Sequence, residues 1–509
     1  MRLIFATILM AGMASAAASA SSTNLLFILT DNQPAAILGA YGNTDVRTPN
    51  IDRLAREGVR FSNAFAVNGM CSPTRATLMT GLLPSQHGVH NWLDDELMED
   101  WPRDWSAIAE FRTLPLTLAN RGYRTAMIGK WHLGQPWQPS VGFQHWVTFT
   151  DGHTVDFWDN TIIDNGDVYK VKDKHTVDFF ADKAVEFLEG YESDSPFYLQ
   201  LNLNGPYLNP PSNLGPARNR HYAEYAGQAF PSFPRVAFNA NAAGQLVDPT
   251  TPPFIIKKHL EAIAMHNDPA TMANVASQNT MVDDAVGRVL AALEASGNAE
   301  STLVIFSSDQ GNFFGQHGLW QHTVVTTPAN LYEAAMNIPL IIRHPGHVRA
   351  GSKDAHLIGQ YDIPVTILDY LGIDVSLEGS PGRSFSALLR GEDADWGDEV
   401  FYEQEETRGI RTADFAYWKR LDGTGSDELY DMRNDPGQHN NLINDPSLAS
   451  RVSALDARLD AFFSRYADSQ YDLWRGGIAK GSVVRPEMFR KLYGPEWRPR
   501  TDLKPAFSE

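Results

Sequence analysis

Cysteine is nearly absent from this chain: among 509 residues there is one, Cys71. A single thiol cannot close an intramolecular disulfide, and no Cys/His cluster with zinc-ligand spacing is present. Basic residues are also scarce, 42 Lys and Arg against 61 Asp and Glu, for a net charge of −19. No broad face could neutralise phosphates, which argues against nucleic acid as a partner. Anionic small substrates are not excluded, because a local cluster of Arg, Lys and His can invert the potential inside one pocket. Beyond the first twenty residues no stretch is long and apolar enough to span a bilayer, so no membrane anchor is expected. Internal repeats and low-complexity segments are missing as well. What remains is 43% apolar and 20% charged. That is close to the globular average, in a chain long enough for a large α/β enzyme with a small appended domain.

Residues 1–20 read as a secretory signal. Arg2 supplies the positive start, residues 3–13 the apolar run, and Ala18-Ser19-Ala20 a small-residue cleavage site. The expectation is export, to the periplasm or the extracellular space, with the mature chain beginning near Ser21.

The chemistry concentrates between Asn68 and His90. Pro73 is pre-set for a first helical turn and Gly81 for a stop, so Ser72 or Pro73 to Thr80 is predicted as a helix with Cys71 at its N-terminal edge. Such an edge offers unpaired N–H groups and partial positive charge to an anion. Arg75 adds an always-protonated fork. Around this stretch strands and helices alternate, which gives an α/β fold with a mostly parallel sheet covered on both faces. The apolar runs Asn24–Thr30 and Thr302–Ser308 read as central strands. They end in Asp31-Asn32-Gln33 and Asp309-Gln310-Gly311, at the carboxyl ends where open α/β sheets place their sites. Residues 123–128 form a further strand that runs into Gly129-Lys130-Trp131-His132-Leu133-Gly134. Alternation in an extended segment would put Lys130 and His132 on one side.

Elsewhere, Thr48 to Gly58 is read as a helix with a Thr cap, and Gly142 to Asp159 as a pocket wall offering His153 as a substrate contact. Residues 204–262 are read as a long loop that selects substrate. Helices are expected at 176–190, 270–296 and 362–372, and a boundary at 376–383. A small antiparallel sheet over 409–436 and a helix over 446–466 follow; the tail 469–509 has no predicted place.

Cys71-Ser72-Pro73-Thr74-Arg75, continued by Ala76 to Gly81, resembles the Cys-x-Pro-x-Arg signature of the type I sulfatases. Gly129 to Gly134 is similar to a second signature of that family, and the resemblance runs from about Asn24 to Tyr466. It implies the alkaline-phosphatase-like fold, with a catalytic domain at 21–375 and a C-terminal subdomain at 376–509. It also implies that a maturation enzyme converts Cys71 to Cα-formylglycine, which would remove a lone thiol from an oxidising compartment. By resemblance a Ca²⁺ or Mg²⁺ ion is held by Asp31, Asn32, residue 71, Asp309 and Gln310, an oxygen-rich set suited to a hard cation. Arg75 and Lys130 then hold sulfate oxygens, and His132 contacts the formylglycine hydroxyl. His322, with His317 in reserve, stands where the family has a lysine and is read as the proton donor to the leaving alcohol. Tyr207 replaces a sulfate-contacting histidine. The implied reaction is hydrolysis of aryl sulfates or sulfated carbohydrates. The alternatives are a phosphodiesterase or phosphonate monoester hydrolase on the same nucleophile, and a plain thiol hydrolase. A third, a non-catalytic binding protein, is suggested by Asn32, Gln310, Tyr207 and His322.

Overall fold

Strand β1 (Asn24–Thr30) is buried along its whole length. Its alternate residues serve two separate cores, Leu25, Phe27 and Leu29 on one face and Leu26 and Ile28 on the other. That is the signature of a central strand covered on both sides. A computed structural model of the chain describes residues 23–93, 101–207, 214–392 and 394–499. The predicted signal segment at 1–20 therefore lies outside the described residues. No helix among them is long and apolar enough to cross a membrane.

Nine strands join β1: β2 (Val59–Phe65), β3 (Arg124–Gly129), β4 (His145–Phe149), β5 (Thr161–Asp164), β6 (Asp167–Lys170), β7 (Phe197–Asn202), β8 (Thr302–Ser308), β9 (Asn337–Arg343) and β10 (Ser352–Gly359). Their order is β10-β2-β9-β8-β1-β7-β3-β4-β5-β6. Only β5 and β9 run against the rest. The expected mostly parallel sheet is thus observed. Helices α1 (Pro49–Glu57), α3 (Thr176–Glu189) and α5 (Pro269–Ala295) pack on one face. Helices α2 (Cys71–Thr80) and α6 (Asp362–Tyr370) pack on the other. A four-stranded antiparallel sheet follows, β11 (Glu399–Gln404), β12 (Thr407–Thr412), β13 (Phe415–Arg420) and β14 (Glu428–Asp431). Helix α7 (Ala449–Tyr466) covers it through Leu455, Leu459 and Phe463.

Two local expectations need correction. Thr48 stands at the start of α1 but its side chain does not cap it; the hydroxyl accepts from Gly39 N–H at 2.9 Å and meets Asp52 at 3.2 Å. The cap comes from α5, where Asp283 accepts from the N–H groups of Asn50 at 3.0 Å and Ile51 at 2.8 Å. A carboxylate at a helix N-terminus satisfies donors that have no intrahelical partner. Asp283→Ala should therefore cost about 1–3 kcal/mol, read as a lower denaturation midpoint at unchanged slope.

The second correction concerns 204–262, which is not one long loop. Helix α4 (Pro253–Met265) occupies its end, entered through Pro252 and Pro253. It buries Ile255, His259, Ala262 and Met265, a helical spacing on one face. Pro253 sits at the first helical position, where proline is favourable rather than disruptive.

Candidate active site

The parallel register of β1 and β8 sets Thr30 beside Ser308. The residues that follow each strand are thereby side by side, although far apart in sequence. Asp31 and Asn32 face Asp309 and Gln310 at the carboxyl edge of the sheet. Asp309 Oδ1 accepts from the N–H of Asn32 at 3.1 Å and of Gln310 at 2.8 Å. Asn32 has φ 63°, a left-handed conformation that Asn tolerates better than most residues.

Helix α2 brings Cys71 to the same place as its first residue, one position earlier than expected. All ten residues of α2 are buried, and Gly81 ends it at φ 73° with its N–H on Thr77 O. Cys71 Sγ lies 3.4 Å from Asp31 Oδ1 and 3.8 Å from Asn32 Oδ1, and Gln310 Nε2 donates to it at 3.2 Å. Ligand atoms of Asp31, Cys71 and Asp309 lie within 4.8 Å of one another.

Two cations close the cluster. Lys130, just past β3, reaches Asp31 Oδ2 at 2.7 Å. Arg75, one turn into α2, holds Asp309 Oδ2 through Nη2 at 2.8 Å and Nε at 3.1 Å, and its Nη1 donates to Lys130 O at 2.9 Å. Both carboxylates are thus matched by one cation each, with no exposed surface on either acid. Burial pushes Asp31 up to about 6 against the pull of Lys130. Asp309 is also buried, yet Arg75 and Lys130 hold it below the usual range. The Cys71 thiol is pushed up to about 12 by burial. A protonated thiol of that kind is a poor nucleophile, and no histidine touches its sulfur among the described contacts.

The histidines divide. His132 does not continue β3 in extended form: its φ is 55° and its N–H bonds to Gly152 O. The segment is therefore not extended, and alternation is not what sets the ring's position, although Lys130 still lies close enough to act on it. Its Nε2 faces the carbonyl of Leu93 at 3.2 Å, which fixes the proton there and leaves Nδ1 as an acceptor. Nδ1 is buried without a hydrogen-bond partner among the described residues. Burial, with Lys130 adding to it, lowers His132 well below the ordinary histidine range. The His153 ring lies 5.0 Å from the His132 ring.

His322 enters the cluster directly, its Nε2 3.1 Å from Asn32 Nδ2. Burial first, then Lys258 and Lys130, lower it to about 3, so it is neutral at neutral pH. Tyr207 stands between the two, with its ring under Lys130 Nζ at 4.5 Å and 6.4 Å from the His322 ring. His317 goes elsewhere. It stacks on Tyr332 at 3.7 Å and borders a cavity of about 410 Å³ with Phe314, Glu333 and His439. Its described contacts do not reach Cys71. A left-handed φ of 56° turns it away from the segment that delivers His322.

The donor set suits a hard divalent cation. Two carboxylates and the Asn32 carbonyl converge, and Gln310 Oε1 is buried without a partner while its Nε2 crowds Asn32 Oδ1. Exchanging O and N in that amide, which have nearly the same shape, would turn its oxygen toward Asn32 Oδ1 and Cys71, so that both carbonyl oxygens face the place a cation would take.

The nucleophile loop is also held by parts of the chain that local pattern did not mark. Gly69 N–H donates to Gln404 Oε1 at 3.1 Å, Asn68 Nδ2 to Glu403 O at 2.8 Å, and Ser85 N–H to the Glu403 carboxylate at 2.7 Å. The tail runs alongside: Lys480 N–H reaches Gly88 O and Ser482 N–H reaches Trp92 O.

Comparison with known proteins agrees with this geometry. The Sulfatase family profile matches residues 23–373, and the profile of the N-sulphoglucosamine sulphohydrolase C-terminal region matches 315–464. An N-acetylglucosamine-6-O-sulfatase of Bacteroides thetaiotaomicron is 28% identical, over 90% of this chain and 89% of that protein. An ulvan-active sulfatase of Formosa agariphila is 26% identical, over 87% of this chain and 82% of its own length. A solved structure bound to its substrate, D-glucosamine-2-N,6-O-disulfate, superposes with TM-score 0.68 at 25% identity, covering 89% of this chain and 99% of that one. With more than half its length matched, the chain belongs to the sulfatase family and is a sulfuric ester hydrolase of alkaline-phosphatase-like fold.

Proposed function

We propose that this enzyme removes sulfate from a sulfated saccharide, using formylglycine made from Cys71 and a Ca²⁺ or Mg²⁺ ion. One observation carries the reading. Cys71, Arg75, Lys130 and the two strand-end acids, read separately from sequence, meet in one buried cluster. The saccharide preference is supported by the relatives above, whose substrates are sulfated sugars. Export and a maturation enzyme are part of the same proposal.

Asp31, Asn32, Asp309 and Gln310 would hold the cation, which would supply positive charge to the equatorial sulfate oxygens. Formylglycine at 71 would supply a hydrated aldehyde, one hydroxyl to attack sulfur and the other to let sulfate depart. The remaining work falls to this chain's own side chains. Lys130 and Arg75 already balance the two acids, so a divalent ion would leave the pocket net positive and ready for an anionic ester. Arg75 holds Asp309 in place, and Lys130 lies close enough to the pocket to share a sulfate oxygen. The free lone pair on His132 Nδ1 suits it to take a proton from a hydroxyl at residue 71.

His322 is the proposed partner of the leaving oxygen. As a neutral imidazole with Nε2 accepting from Asn32, it offers its Nδ1 proton as a hydrogen bond. His322→Ala should lower kcat by about 10²-fold or more on a sulfated sugar, whose poor alkoxide leaving group depends on that hydrogen bond as its charge develops. An aryl sulfate, with its better leaving group, should lose much less. Equal losses on both esters would assign His322 a purely electrostatic role. The overall reading is tested by comparing sulfate release from a panel of sulfated sugars with hydrolysis of an aryl phosphodiester. Faster turnover of the phosphodiester would favour the phosphodiesterase alternative.

A further inference from the structure

Several buried polar atoms without partners belong to elements that pack against the loop following His322. His259 has no exposed surface, and neither of its ring nitrogens has a hydrogen-bond partner among the described residues. The same holds for Gln404 Nε2, Gln321 Oε1 and Glu406 Oε2. These atoms come from three parts of the chain: Gln321 opens the loop 321–326, and the segments that carry His259, Gln404 and Glu406 contact that loop directly or through Arg485. Gln404 meets Thr323 Oγ1 at 3.2 Å, and Gln321 Nε2 donates to Glu261 on α4 at 3.3 Å. Arg485 bridges Glu406 at 3.1 Å and Thr326 O at 2.6 Å, and its charge acts on His259.

This wall adjoins the reaction centre. Ile255, one turn before His259 on the same face of α4, packs with Met70 and Val324. Met70 immediately precedes Cys71, and Val324 follows His322 by two residues. Lys258, beside His259, is close enough to act on His322. A buried polar atom left unpaired carries its full desolvation cost, so several around one loop call for a polar occupant.

The mixture of groups indicates which occupant. A neutral imidazole offers one N–H and one lone pair, Gln404 Nε2 is a donor, and Gln321 Oε1 and Glu406 Oε2 are acceptors. A second sulfate or a carboxylate would need donors alone. Hydroxyl groups both donate and accept. We propose that this wall is the subsite for the free hydroxyls of the sugar leaving group, with His259 as its central specificity-determining residue. The proposal rests on the saccharide sulfatase reading above.

The test begins with a panel of O-sulfated monosaccharides and 4-nitrophenyl sulfate, assayed by sulfate release. The fastest sugar ester and its desulfated sugar, used as a competitive inhibitor, are then measured on His259→Ala and His259→Gln. The expected result for His259→Ala is a rise of roughly tenfold or more in both the sugar ester's KM and the desulfated sugar's inhibition constant. The ratio of sugar to aryl kcat/KM should fall by a similar factor. His259→Gln, whose amide keeps one donor and one acceptor, should recover part of the loss, and it carries the test if the alanine variant does not fold. Unchanged sugar constants, or a parallel loss on the aryl ester, would overturn the subsite. Wild-type activity on the aryl ester with none on any sugar would overturn it too, while leaving the sulfatase assignment intact. No sulfate from any ester would show instead that the underlying reading had failed.

Discussion

Cys71→Ala should yield a folded protein whose sulfate release is lower by about 10⁴-fold or more in kcat/KM. The side chain is small and sits at the first position of α2, where alanine is well tolerated. Alanine keeps Cβ as an inert methyl group without the sulfur, so no aldehyde can be made there, and among the described residues no other nucleophile stands between the strand ends. A thermal melt within a few degrees of wild type, together with retained binding of a sulfated sugar, would separate loss of chemistry from loss of fold. A non-catalytic binding protein would show no difference between the two proteins in sulfate release. A variant that still released sulfate at the wild-type rate would place the nucleophile elsewhere.

The second large effect is expected at Arg75. Its guanidinium is almost completely buried and spans Asp309 and the Lys130 carbonyl. Arg75→Leu leaves Asp309 buried beside Asp31 with half the compensating charge gone. Removing one partner of a buried ion pair costs about 3–5 kcal/mol, because the remaining charge stays desolvated and unpaired. Activity should fall by about 10³-fold or more, since the anchor of Asp309 and a positive charge on the sulfate are lost together. Arg75→Lys keeps the charge but not the fork, so it should recover part of the stability and little of the activity. Urea denaturation read beside steady-state kinetics separates the two losses. Wild-type stability in Arg75→Leu would mean that Asp309 finds another counter-charge.

Much of this architecture was legible because it is local. The runs Asn24–Thr30 and Thr302–Ser308 are apolar without interruption, so both had to be central strands, and a parallel pair places its polar ends together. Pro73 and Gly81 bracket α2 by backbone preference alone. Other features depend on contacts that no local window contains. The cap on α1 comes from Asp283, more than two hundred residues away. Gln404 and Glu403 steady the nucleophile loop from a sheet that reads as a separate subdomain. Lys130 and His132 looked equivalent by alternation, yet one continues toward Asp31 and the other is turned by a left-handed backbone. His317 and His322 lie five residues apart in one motif, and only His322 faces the acids. His259 gave no sequence signal, because its helix begins behind two prolines and its importance rests on unpaired atoms visible only after folding.

The most direct measurement is the mass of the peptide carrying residue 71, taken from purified enzyme with known specific activity and bound-metal content. The account predicts loss of the SH group and of one Cβ hydrogen and gain of a carbonyl oxygen, in a fraction that rises in step with specific activity across preparations. Fully active enzyme with an unmodified thiol at position 71 would contradict it.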